Sequence, residues 1–138
     1  MATTVSDVLT PDIISISSMR TARDAAELMH TADVGAVVVT DGGQLVGLVT
    51  DRDLVVRVLA AGGGPDTPVS EACSGDLVTV SPDDDVADAA RVMAQHAVRR
   101  LPVVSGDKVV GIVSLGDLAI VSDPTSVLGQ VSARPANA

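Results

Sequence analysis

The fold is decided by a stretch that occurs twice. "GLVTDRD" spans Gly47–Asp53 and "GIVSLGD" spans Gly111–Asp117, 64 residues further on. Each reads as a strand that runs into a helix: a glycine, two aliphatics, a hydroxyl residue, two variable positions and an aspartate. Working outward from this junction, residues 5–54 lie on 69–118 without a gap. Val5-Ser6 meets Val69-Ser70, Asp24-Ala25-Ala26 meets Asp88-Ala89-Ala90, and Met29 meets Met93. Val46-Gly47 meets Val110-Gly111, and Asp53-Leu54 meets Asp117-Leu118. A gapless register of this length marks two copies of one supersecondary unit. The boundaries expected are a first repeat at 5–60, a Gly/Pro-rich linker at 61–68, a second repeat at 69–124 and a disordered tail at 125–138.

Within each copy the pattern predicts β-α-β-β-α. "IISI" (Ile13–Ile16) and "LVTV" (Leu77–Val80) are short β-rich runs. Thr21 and Asp85 stand three residues before Asp24 and Asp88, a capping spacing, and apolar residues follow at helical intervals. "AVVVT" and "LPVVS" supply the second strand. Gly42-Gly43 and Gly106-Asp107 turn the chain into "LVGLVT" and "VVGIVS", and the last helix starts near Asp51 or Leu115. One copy of about 50 residues buries too little surface to be stable alone. The expected fold is therefore α+β: two tandem repeats related by a pseudo-twofold, their sheets packed together with a cleft between them.

Composition narrows the function. The chain is 46% hydrophobic and 20% charged, enough for a core, yet holds no Phe, Trp or Tyr. No ring is available to stack on a base. Nine basic against 18 acidic residues give a net charge of −9, which argues against a nucleic-acid binder. The single Cys73 excludes an intrachain disulfide. The opening "MATTVSDVLT" lacks the charged start and apolar run of a signal peptide, and no apolar run approaches a membrane span. These features predict a cytoplasmic protein with no membrane contact.

The repeated βαββα unit, the "RRLPVV" entry to the second strand of copy two and the "GIVSLGD" junction resemble the CBS (cystathionine β-synthase) domain. Two in tandem resemble a free-standing Bateman module, and the resemblance covers roughly residues 5–122. It implies a regulatory module, not an enzyme, that binds an adenosine-containing ligand (AMP, ADP, ATP or another adenosine derivative) in the cleft between repeats. The family's hydroxyl and aspartate contacts fall on Thr50 and Asp53 in copy one and on Ser114 and Asp117 in copy two. Its phosphate-binding basic residues fall on Arg99 and Arg100, and their counterparts in copy one are Gly35 and Ala36. Its aliphatic adenine sandwich falls on Ile14, Ile16, Val78 and Val80, with Val34 or Val98. Leu54, Val55, Val58 and Leu59 in one copy and Leu118, Ala119, Ile120 and Val121 in the other put apolar positions on more than one side of the last helices, which predicts a homodimer. The resemblance adds two pairs forming a flat disk and a regulated partner that the sequence does not name.

Each of these residues also has a purely structural reading. Thr50 with Asp53, and Ser114 with Asp117, fit capping boxes that satisfy the first amides of a helix. The same helix start favours anions, and a carboxylate can accept both hydroxyls of a ribose. Arg99 and Arg100 can pair with surface carboxylates, and as strand neighbours they point to opposite faces. Arg52 can reach a phosphate or lie on the helix surface. The aliphatic residues are core-like in any case. His30 and His96 sit at different offsets in the two copies and give no zinc spacing. Asp83–Asp85 suit a helix start better than a divalent cation. Cys73 suits a buried apolar role, and no nucleophile, base and orienting acid stand together as a set. A ligand-free dimerisation or interaction module that docks on an enzyme or transporter stays open beside the sensor.

Overall fold

A computed structural model describes residues 3–11, 13–73, 77–122 and 125–132. The chain is mixed α and β, with seven α-helices, a π-helical segment and five strands in two sheets among these residues. Two compact units result. One is Ile14–Leu77; the other joins the residues up to Ile13 to those from Val78 on.

In the first unit, β1 (Ser15–Ser17) pairs in parallel with β2 (Ala36–Asp41), which pairs antiparallel with β3 (Gln44–Thr50). Between β1 and β2 runs α2 (Ala22–Ala32). Its cap is the expected one: the Thr21 hydroxyl accepts from the Asp24 amide at 3.2 Å, and the Asp24 carboxylate accepts from the Thr21 amide at 3.2 Å. The β2–β3 hairpin turns on Gly42 and Gly43, at φ +60° and +84°, values that an L side chain resists and glycine does not. After β3 the chain makes one turn of α-helix, α3 (Asp51–Asp53), and then widens into a π-helical segment, Leu54–Leu59. There the Ala60 amide bonds the Val55 carbonyl at 2.9 Å. Ala25, Val37, Val39, Val49, Val58 and Val69 are the centre of the core, with Met29 and Ile16 beside them.

The second unit repeats this plan with α5 (Val86–His96), β4 (Arg100–Ser105), β5 (Lys108–Ser114) and α6 (Leu115–Ser122). The "LVTV" run differs from expectation. It forms only an isolated parallel bridge, Val80 to Val103, where the first unit has strand β1. The cause lies in two prolines, one at each end of the ladder. Where the Ser18 amide bonds the Thr40 carbonyl at 2.8 Å in the first unit, the counterpart Pro82 has no N–H to give. In the first unit the Val38 amide bonds the Ile14 carbonyl at 2.9 Å. Its counterpart is Pro102, which has no N–H to give, so the ladder stops at Val80.

Two short helices, α1 (Val5–Val8) and α4 (Val69–Ala72), sit at equivalent places before the two repeats, and they are exchanged. Val5 is fully buried in the core of Val80, Ala89, Met93, Leu101, Val103, Val113 and Leu118, that is, with the second repeat. Its amide bonds the Asp84 carbonyl at 2.8 Å, and Thr4 bridges Asp85. Val69 is likewise fully buried, but in the core of the first repeat; its amide bonds the Arg20 carbonyl at 2.8 Å, and Pro68 bridges Thr21.

The tail read as disordered from its composition carries a further helix, α7 (Val127–Ser132), which packs against α6. Its start is held by the Gly129 amide bonding the Ser126 hydroxyl at 3.0 Å and by the Gln130 side chain bonding the Thr125 carbonyl at 2.7 Å. Residues 133–138 of that tail lie outside the described residues.

Candidate functional site

Each junction of strand and helix is a reciprocal cap. In the first unit the Thr50 hydroxyl accepts from the Asp53 amide at 3.1 Å, and Asp53 Oδ2 accepts from the Thr50 amide at 2.9 Å. In the second, Ser114 Oγ accepts from the Asp117 amide at 3.1 Å and Asp117 Oδ2 accepts from the Ser114 amide at 2.9 Å. The capping reading is thus met in full at both junctions. All four side chains are nonetheless only part-buried, so each keeps a face toward solvent.

The helix start is tied to the entry of the neighbouring strand. The Leu115 amide bonds the Arg99 carbonyl at 2.8 Å, and Arg100 stands opposite Ser114 in the β4–β5 register. The fold therefore brings Arg99 and Arg100 to the backbone beside the Ser114–Asp117 cap. The same geometry in the first unit brings Gly35 and Ala36 beside Thr50: the Asp51 amide bonds the Gly35 carbonyl at 3.0 Å, and Ala36 stands opposite Thr50. Arg99 is exposed and Arg100 half-buried, and neither makes an ion pair among the described residues. Arg52 is exposed.

The two carboxylates differ in their remaining oxygen. Asp53 Oδ1 lies 3.5 Å from Arg57 Nε, one helical turn on. The position matching Arg57 is Val121, and Asp117 Oδ1 has no recorded partner among the described residues. Sequence reading overlooked Arg57, although its i,i+4 spacing from Asp53 was there to be seen.

The aliphatic candidates divide by burial. Ile16 and Val80 are core residues, each 6% exposed. Ile14 and Val78 are part-buried and pack against the two cores, as Leu54 does in the first. Val34 and Val98 sit at the surface, 37% and 36% exposed. A shallow groove of about 570 Å³ runs between β1 and α2 past Ser15, Ile16, Leu28 and Thr31; it includes neither Thr50 nor Asp53.

Other residues fill structural roles. Cys73 is half-buried against the first core, and desolvation pushes its thiol pKa up, with the Asp53 charge adding to the rise. Asp84 accepts from the Ser81 amide at 2.9 Å and Asp85 is the N-cap residue of α5. His30 and His96 are exposed in the last turns of α2 and α5. Among the described residues no group of three or more His, Cys, Asp or Glu could hold a metal ion, and no helix is long and apolar enough to cross a membrane.

Comparison with known proteins identifies the fold. The CBS domain family model matches residues 5–60 and again 69–123. The chain is 45% identical over 116 residues to the CBS domain-containing protein YhcV of Bacillus subtilis, covering 84% of this chain and 83% of that one. An uncharacterised conserved protein from Pyrococcus horikoshii has the same structure with a TM-score of 0.82 at 28% identity, over 89% of this chain and 94% of that one. The CBS domain pair of protein MJ0100, solved with 5′-methylthioadenosine and S-adenosyl-L-methionine, superposes with a TM-score of 0.82 at 25% identity, over 91% of this chain and all of that one. With two family matches that together span most of its length, and a fold shared with solved CBS pairs, the chain belongs to the CBS domain family and is a tandem CBS pair.

Proposed function

We propose that this CBS pair is a regulatory sensor of an adenosine-containing ligand, of the AMP, ADP or ATP class, with Ser114, Asp117, Arg99 and Arg100 as its principal contacts. The observation that carries the reading is the second junction. There a part-buried carboxylate keeps one oxygen without a partner among the described residues, suited to a ribose diol, and the backbone of two arginines, whose side chains suit a phosphate, runs beside the cap. The two arginines are notable in a chain of eight arginines, one lysine and net charge −9. The solved relative bound to two phosphate-free adenosine derivatives supports the adenosine part of the reading. No set of residues suited to covalent or acid–base chemistry accompanies the junction, so the role is one of binding and signalling, in the cytoplasm.

We further propose that the chain self-associates as a homodimer. Val55, Val56 and Leu59 on the π-helical segment and Leu115 and Val121 on α6 are large apolar residues between 40% and 64% exposed. Such clusters mark association surfaces. The same exposed residues in either unit would serve a ligand-free module that docks on a partner enzyme or transporter.

The absence of aromatic residues makes the ligand test direct. The apoprotein is nearly dark from 260 to 280 nm, whereas adenine absorbs strongly there. After equilibration with millimolar AMP, ADP or ATP and fast desalting, a 260 nm band is expected, released into the filtrate on denaturation. A protein that stays dark with each of these, with S-adenosylmethionine and with NAD, and shows no thermal shift with any, refutes the sensor reading in favour of the docking module.

A further inference from the structure

We propose that Arg57 closes the first junction, so that the chain takes one adenosine ligand, at the second. This rests on the adenosine reading above and adds what decides between the two copies. Asp53 spends Oδ2 on the Thr50 amide and has Oδ1 3.5 Å from Arg57 Nε. The Asp53 side chain is only 17% exposed while that of Arg57 is 51% exposed, so the carboxylate that a ribose would have to reach already has a more exposed guanidinium against its second oxygen. A ribose hydroxyl carries no charge, whereas the guanidinium meets Asp53 as an ion pair, and a carboxylate oxygen already facing a cation is a weaker acceptor for a diol. The arginine is moreover tethered one turn away on the same segment, so it competes without any loss of translational freedom. At the second junction Val121 replaces it, and a valine neither donates to Asp117 nor neutralises it. The first junction also lacks the strand-entry cations, having Gly35 and Ala36 where the second has Arg99 and Arg100. Two nearly identical motifs are thus set apart by residues outside the motif, Arg57 and the missing strand-entry cations, and the silent copy keeps its helix cap.

Calorimetry on the full chain tests this. The wild type is titrated first with AMP, and a stoichiometry of one per chain is expected. Asp117→Asn retains a carbonyl oxygen to accept from the Ser114 amide and so preserves the cap; it should weaken AMP binding at least tenfold. Adding Arg57→Val in that background should raise the association constant for adenosine, which needs no phosphate contact, at least fivefold over Asp117→Asn alone. Two equivalent sites in the wild type overturn the proposal without any mutation. So does an Asp117→Asn protein that binds as the wild type does, or a double variant that gains nothing; in these cases the adenosine reading survives. A wild type that takes up neither AMP nor adenosine overturns both readings, and that first titration tells the two failures apart.

Discussion

Val5→Ala is the sharpest test of the exchanged helices. Val5 precedes the first repeat in sequence but is fully buried among Val80, Met93, Leu101, Val103 and Val113 of the second. The substitution removes two methyl groups from a closed core. At about 0.5–1.5 kcal/mol for each deleted methyl-sized group, the loss comes to roughly 2 kcal/mol. That is a ~30-fold rise in the opening equilibrium. Hydrogen exchange followed residue by residue reads where the loss falls. Amides of β4 and β5 should lose protection by about that factor, while those of β2 and β3 keep theirs. Val69→Ala should do the converse, loosening β2 and β3, because Val69 closes the first core. If Val5→Ala loosens β2 and β3 instead, or both hairpins equally, the assignment of α1 to the second core is wrong.

Two further expectations concern charge and assembly. The Thr21 amide and hydroxyl, with Arg20 and Arg23 lending smaller help, hold the Asp24 carboxyl below its ordinary value of 3.8. A carboxyl depressed in the folded state contributes stability above its unfolded pKa and loses it as pH falls through the folded one. Acid titration of the melting temperature should therefore show a decline beginning near pH 4 and continuing below it, and Asp24→Asn should flatten that part of the curve; an unchanged slope refutes the assignment. Light scattering at micromolar concentration should give about twice the 13.9 kDa of one chain, and a monomer mass would argue that the exposed valines and leucines serve another partner.

Much of this was legible in the sequence because it is local. Thr50 with Asp53, Thr21 with Asp24 and Ser114 with Asp117 announce their caps by a spacing of three, and the structure forms all of them. The hairpin at Gly42-Gly43 follows from the backbone freedom of glycine. What was not legible depends on choices between equal partners. Val5 and Val69 head the same motif, and nothing within four residues of either says which core receives it. The loss of a strand at Val80 was encoded by Pro82 and Pro102, but what a proline removes from a ladder is read only once the register is known. The Arg57–Asp53 pair was readable from spacing and was hidden by attention to the motif alone. The helix over Val127–Ser132 comes from packing on α6, which composition does not report.

The exchange of α1 and α4 also fixes an order of events at the ribosome. The unit Ile14–Leu77 contains its own short helix, α4, so every residue of its core has been made once Leu77 has cleared the exit tunnel. That is not so of the other unit. Val5 is among the first core residues synthesised, yet its partners extend to Val113 and Leu118, more than 100 residues later. At roughly 5–20 residues per second its apolar side chain waits some 5–20 s without a core. During that interval the nascent chain holds all the residues of its first core but a single early member of its second, and the second core closes only when the late strands reach back to Val5.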